Sequence, residues 1–96
     1  DVQKANWPGK LLFGTAASSI TSVGGLATAT FTGTVTGAAV GDLVIATPPA
    51  QLDARISFYA LVTATNTVTV YLNNASASTA SLTAGTWNLA VLDPVL

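Results

Sequence analysis

The sequence predicts an all-β fold: an antiparallel β-sandwich or small barrel of Greek-key or jelly-roll-like type. Three observations carry that expectation. Apolar residues alternate at period two with Thr, Ser and Asn along several stretches, clusters of Gly, Pro, Asn and Asp punctuate those stretches, and no segment has a helical apolar period. With 96 residues the chain has the length of one domain, able to bury about 60 to 65% of its unfolded surface.

The clearest strand is Leu26 to Thr36, LATATFTGTVT. It places Thr28, Thr30, Thr32, Thr34 and Thr36 on one face and Ala27, Ala29, Phe31 and Val35 on the other, and Thr itself favours strands. Gly33 falls on the apolar face, which predicts a bulge or a close backbone approach. A turn of small residues runs through Thr36 to Asp42, and Leu43 to Thr47 (LVIAT) reads as a short strand buried on both faces. Pro48 and Pro49 then end any ladder, because proline donates no backbone hydrogen bond. A loop through Gln51 to Ala54 follows.

Ile56 to Thr65 alternates again, with Ile56, Phe58, Ala60, Val62 and Ala64 opposite Ser57, Tyr59, Leu61, Thr63 and Thr65. Thr67 to Asn73 sets Val68, Val70 and Leu72 inward, and Asn66 between the two stretches tolerates the positive φ of a hairpin turn. Asn73 to Gly85 reads as a loop. Thr86 to Leu92 closes with Trp87, Leu89 and Val91 on one face. Residues 1–25 are expected to be an N-terminal arm or short strands, with Lys10 to Phe13 as one candidate, and residues 26–96 the sandwich domain. The chain holds no Met, which implies residues before Asp1.

Charge narrows the function. Asp1, Asp42, Asp53, Asp93, Lys4, Lys10 and Arg55 are all the charges, 7% of the chain, against about 25% in an average domain. Leu11 to Gly41 and Ile56 to Leu92 hold none. Either hydroxyls and amides solvate the surface, or neighbouring subunits cover it, since charge depletion marks the buried part of an interface. The second reading is favoured, because isolated β domains guard their sheet edges with charges and these strands have none. A net charge of −1 gives no basic footprint for nucleic acid, and no apolar run of about 18 residues offers a membrane-spanning helix. Neither partner is expected.

Candidate chemistry is thin. With no His, Glu or Cys, acid–base work falls to Asp and Tyr. Asp42 and Asp53 flank one strand-and-loop unit and are the sole candidate carboxylate pair for glycoside hydrolysis; the plainer reading is that Asp42 shapes a turn and Asp53 pairs with Arg55. Gly9 and Gly14 have the spacing of phosphate-loop glycines, but Thr15 stands where that loop needs Lys. Dispersed Asp residues give no Ca²⁺ cage. No catalytic, cofactor or metal residue is expected, and the chain is read as no enzyme. The threonine ladder from Thr28 to Thr36 repeats every 6.6 to 6.8 Å or so, a spacing suited to ice binding if neighbouring strands extend it. Tyr59 and Tyr71 on the outer hairpin face are either sugar-stacking platforms or a cross-strand pair.

The stretches TVTGAAVGDLVIATPPAQL (34 to 52), ATNTVTVYLNN (64 to 74) and AGTWNLAVL (84 to 92) come in an order that resembles a small β domain of tailed-bacteriophage structural proteins. The resemblance covers about three-fifths of the chain and is architectural, so it transfers no site residue. It departs at Tyr71, where Arg or another polar residue is expected. The resemblance implies a virion location, as a capsid cement (decoration) protein or a tail-fibre part. It also implies contact with a major capsid protein or other virion subunits, and a homotrimer.

Overall fold

The computed structural model describes residues 10–93, and the side chains of residues 11–92. Among them eight strands and no helix form: β1 (Lys10–Ser18), β2 (Ser22–Val23), β3 (Thr28–Thr34), β4 (Leu43–Thr47), β5 (Ile56–Ala64), β6 (Thr67–Asn74), β7 (Ala80–Ser81) and β8 (Gly85–Asp93). Six make one antiparallel sheet in the order β4-β8-β1-β3-β6-β5, and β2 pairs with β7. The outermost strands β4 and β5 run close to each other, so the sheet is nearly closed into a barrel-like sandwich.

The pairings nest about the proline turn at Pro48 and Pro49. Lys10 lies opposite Asp93, Ser22 opposite Ser81, and Thr28 to Thr34 opposite Asn73 to Thr67. With β4 beside β5, each strand meets its mirror image in the chain. The nesting is jelly-roll-like, with β4 and β5 adjacent at the two ends of the sheet and not ladder-paired.

One seam divides the sheet. β1 and β3 share only the Thr15–Thr34 pair, so β4-β8-β1 and β3-β6-β5 behave as two three-stranded leaves. Their inner faces meet. Trp87, Leu89 and Val91 come from one leaf and Val68, Val70 and Leu72 from the other, all of them buried. Phe31 and Phe58 flank the Trp87 ring, with centroids 5.2 and 5.1 Å away, and such tilted contacts add about 0.5–1.5 kcal/mol beyond area burial. The indole N–H of Trp87 has no acceptor among the described residues.

Glycine makes the seam possible. A Cβ on Gly33 would stand 2.6 Å from both Ala16 Cβ and Thr15 O, and one on Gly14 would stand 2.5 Å from Thr34 O. The expected close backbone approach at Gly33 is therefore present, and β1 is its partner.

One expectation is narrowed and one corrected. Of the two alternatives for residues 1–25, the described part takes the strands and not the arm: β1 pairs along its whole length with β8 and sits mid-sheet, and β2 follows it. Only residues 1–9 of that segment lie outside the described residues. β4 is not buried on both faces, since Leu43 and Ile45 are exposed while Val44 and Ala46 point inward. The remaining alternations hold over most of their length, but Leu26 and Ala27 precede β3 and are exposed, and a register shift between Val62 and Ala64 leaves Ala64 exposed. Val68, Val70 and Leu72 have no exposed surface, and Asn66 takes φ 63° in the β5–β6 turn.

Candidate interaction surface

A β-strand directs alternate residues to opposite faces, and directly paired residues of neighbouring strands share a face. On the outer side of β4, β8 and β1 this places Leu43, Leu92 and Leu11 in one row and Ile45, Ala90 and Phe13 in the next. A third row, Thr47, Asn88 and Thr15, is polar. Phe13 is 72% exposed, Ile45 60%, Leu43 56% and Leu11 49%, while Ala90 and Leu92 are half-buried. At about 200 Å² per large side chain, these four alone present about 500 Å² of apolar surface, the size at which a patch on a soluble chain is often functional. Among the described residues no charged side chain projects from this face.

The other leaf presents a different outer surface. Thr28, Thr30, Thr32 and Thr34 line β3, and across β6 to β5 the rows continue as Thr30, Tyr71, Tyr59 and Thr32, Thr69, Leu61. The threonine ladder thus stays on one strand, with only Thr67, Thr69 and Thr63 beyond it. Thr63 and Thr69 bond each other through their hydroxyls at 2.8 Å. Tyr59 and Tyr71 stack, centroids 4.7 Å apart and rings inclined by 14°. They are the cross-strand pair, and each ring covers one face of the other.

The carboxylates make turns. Asp42 Oδ2 accepts from Ala39 N–H at 2.9 Å, beside Gly41 at φ 101°. Asp53 is gripped by Arg55, whose Nε and Nη2 donate at 3.0 and 2.7 Å while the Arg55 backbone N–H donates at 2.9 Å. Those bonds to the Arg55 side chain and backbone hold the Asp53 carboxyl down at about 2, and the same pairing raises the guanidinium. Asp53 is thus bonded to Arg55, and Asp42 to its own turn. Gly14 lies mid-strand in β1 with no helix after it, and Gly9 lies outside the described residues. No group of three Asp, Glu, His or Cys gathers among the described residues.

The most connected polar side chain is one that sequence reading left in a loop. Asn74 is buried. Its Nδ2 donates to Val23 O at 3.0 Å and Ser78 O at 2.7 Å. Its Oδ1 accepts from Ser76 N–H at 3.0 Å and Ser76 Oγ at 2.7 Å. This ties the loop after β6 to the end of β2. The spacing Asn-x-Ser, typical of a side chain that bonds the backbone two residues on, was the available signal.

No protein-family model, no curated protein and no solved structure matches the chain. The outer face of β4, β8 and β1 is the feature from which function is argued.

Proposed function

We propose that the protein is a virion structural subunit of the capsid cement (decoration) type, working by covering surface and being covered. The observation that carries this is the uncharged face holding Leu11, Phe13, Leu43 and Ile45, about 500 Å² of exposed apolar area. The nested strand pairing is shared by capsid and lectin domains alike, so architecture leaves the use open and the support for this reading comes from the face. A glycan site needs a few polar groups converging in a concavity. The residues of this face are aliphatic and aromatic, with hydroxyls and one amide only at the rim, as in the core of a subunit contact.

The mechanism is area burial with little electrostatic steering, so attachment is slow to form and insensitive to salt. Incubating the purified chain with capsids that lack it, then pelleting them, tests the proposal. Saturable co-pelleting that raises the capsid melting temperature and persists in high salt supports it; a chain left in the supernatant overturns it. A second reading, a tail-fibre or adhesin domain, has the exposed ring of Tyr59 among the β3 and β6 hydroxyls in its favour. Binding to immobilised glycans that is lost in Tyr59→Ala would replace the first reading with this one.

A further inference from the structure

We propose that the outer face of β4, β8 and β1 is a contact between two copies of this chain, related by a two-fold axis that seats Phe13 of each copy over Ala90 of the other. The inference assigns to a second copy the face on which the proposed function rests, so a pair that also co-pellets with capsids attaches through its remaining surface. Oligomer mass tests the pair and co-pelleting tests the attachment, and the two failures are distinguishable.

The shape of the face argues for a second copy. Ala90 is paired on one side with Phe13 and on the other with Ile45. The smallest side chain of the row therefore stands between its two largest, and the middle of the patch is a hollow floored by Ala90. A two-fold contact is self-complementary: if a knob of one copy meets a hollow of the other, the same contact recurs reversed. Phe13 and Ala90 are adjacent on one face, so both contacts form at once when the two sheets pack at about 10 Å with a modest angle between strands.

Charge and area agree with this. Apposing this face with itself carries no like-charge or desolvation penalty, since no charge lies on it among the described residues. The rim of Thr15, Thr47 and Asn88 supplies hydroxyls and an amide that both donate and accept, so it too can meet its own copy. The apolar centre of about 500 Å² with that rim approaches the roughly 800 Å² per partner of a stable interface. A second copy is also the one partner supplied at equal concentration whenever the chain is made. A two-fold pair differs from the three-fold assembly that the phage resemblance implies.

The experiment is sedimentation velocity with light scattering on the purified chain up to about 100 μM. The wild type is expected at the mass of two protomers. Phe13→Asp is expected at one, with dissociation strengthened at least about 100-fold and an unchanged far-UV circular dichroism spectrum. Ala90→Leu, which fills the hollow without placing a charge, is expected to weaken the pair as well and serves if Phe13→Asp fails to fold. Thr32→Asp on the opposite leaf leaves the mass at two. A wild type of one or three protomers overturns the proposal, and so does a folded Phe13→Asp or Ala90→Leu that pairs like the wild type.

Discussion

Asn74→Asp is a nearly isosteric change with a calculable result. The asparagine amide makes four bonds, and the substitution keeps the two in which Oδ1 accepts from Ser76. It removes the two in which Nδ2 donates to Val23 O and Ser78 O. Those carbonyls then face a carboxylate oxygen in place of a donor. Ser78 is exposed and its carbonyl also accepts from Ser76 Oγ at 2.9 Å, so the buried acceptor left without the amide is Val23 O. The loss is about 1–3 kcal/mol at neutral pH, a sizeable share of the roughly 5–15 kcal/mol that holds a domain of this size.

The penalty also depends on pH, and its sign follows from the site. Asn74 is only 2% exposed, and burial beside two carbonyls disfavours the charged form, so the introduced carboxyl titrates in the folded protein above its ordinary value of about 3.9. A raised folded value means that protonation stabilises the fold: the relief is complete below the unfolded value and is lost as pH rises through the folded one. The protonated acid can donate one of the two missing bonds. Urea unfolding of wild type and variant at pH 3, 5 and 7 should therefore give a stability difference that shrinks by about half from pH 7 to pH 3. A difference below about 1 kcal/mol at pH 7, or one that does not change with pH, would refute the account of Asn74 as a fully bonded hub.

Other outcomes follow from the same coordinates. Gly33→Ala drives a Cβ into Ala16 and the Thr15 carbonyl and should cost about 1–3 kcal/mol by urea unfolding, since backbone must move. Leu26 is exposed at φ 56°, so Leu26→Asn, which tolerates that conformation, should raise stability by about 1 kcal/mol and lift the melting temperature. The Asp53 carboxyl, held at about 2 by Arg55, stabilises the fold above its unfolded value, and that contribution is lost as pH falls through the folded one. Acid unfolding of Asp53→Asn should accordingly show a flatter dependence between about pH 4 and pH 2, with the difference reduced in high salt because the pair is exposed.

How far the sequence could be read depended on the outer face of each strand. β3 and β6 alternate between apolar inner residues and Thr, Tyr or Asn outside, and β5 and β8 keep enough polar outer positions (Ser57, Tyr59 and Thr63; Thr86 and Asn88) beside the apolar Leu61, Ala90 and Leu92 for their inner faces to be legible. β1 is legible only in part and β4 is misread as buried on both faces, for a shared reason. Their outer positions, Leu11 and Phe13 in one and Leu43 and Ile45 in the other, are themselves apolar, while the inner positions of β1 include Gly14 and Ala16. An apolar outer face erases the period-two signal, so only Lys10 to Phe13 of KLLFGTAAS reads as a possible strand and LVIAT reads as a strand buried on both sides. The candidate surface was thus hidden by the property that makes it a candidate. β2 and β7, of two residues each, are too short for any pattern, and of the Asn74 bonds only those to Ser76 and Ser78 are local enough to read, while the one to Val23 O spans 51 residues.

The nested strand pairing bears on how the molecule comes to exist. The β5–β6 hairpin joins neighbouring segments, β3 with β6 spans a wider loop, and β1 with β8 joins residue 10 to residue 93. Loop-closure entropy grows outward through this series, so the outermost pair is the slowest to close and the chain is expected to fold slowly for its size. Trp87, Leu89 and Val91 arrive with that last pair. Until they dock, the β3-β6-β5 leaf stands with Phe31, Phe58 and its valines open to water. The growing chain passes through a state with a sticky inner surface and uncharged edges, where crowding and chaperone supply govern the yield of native protein.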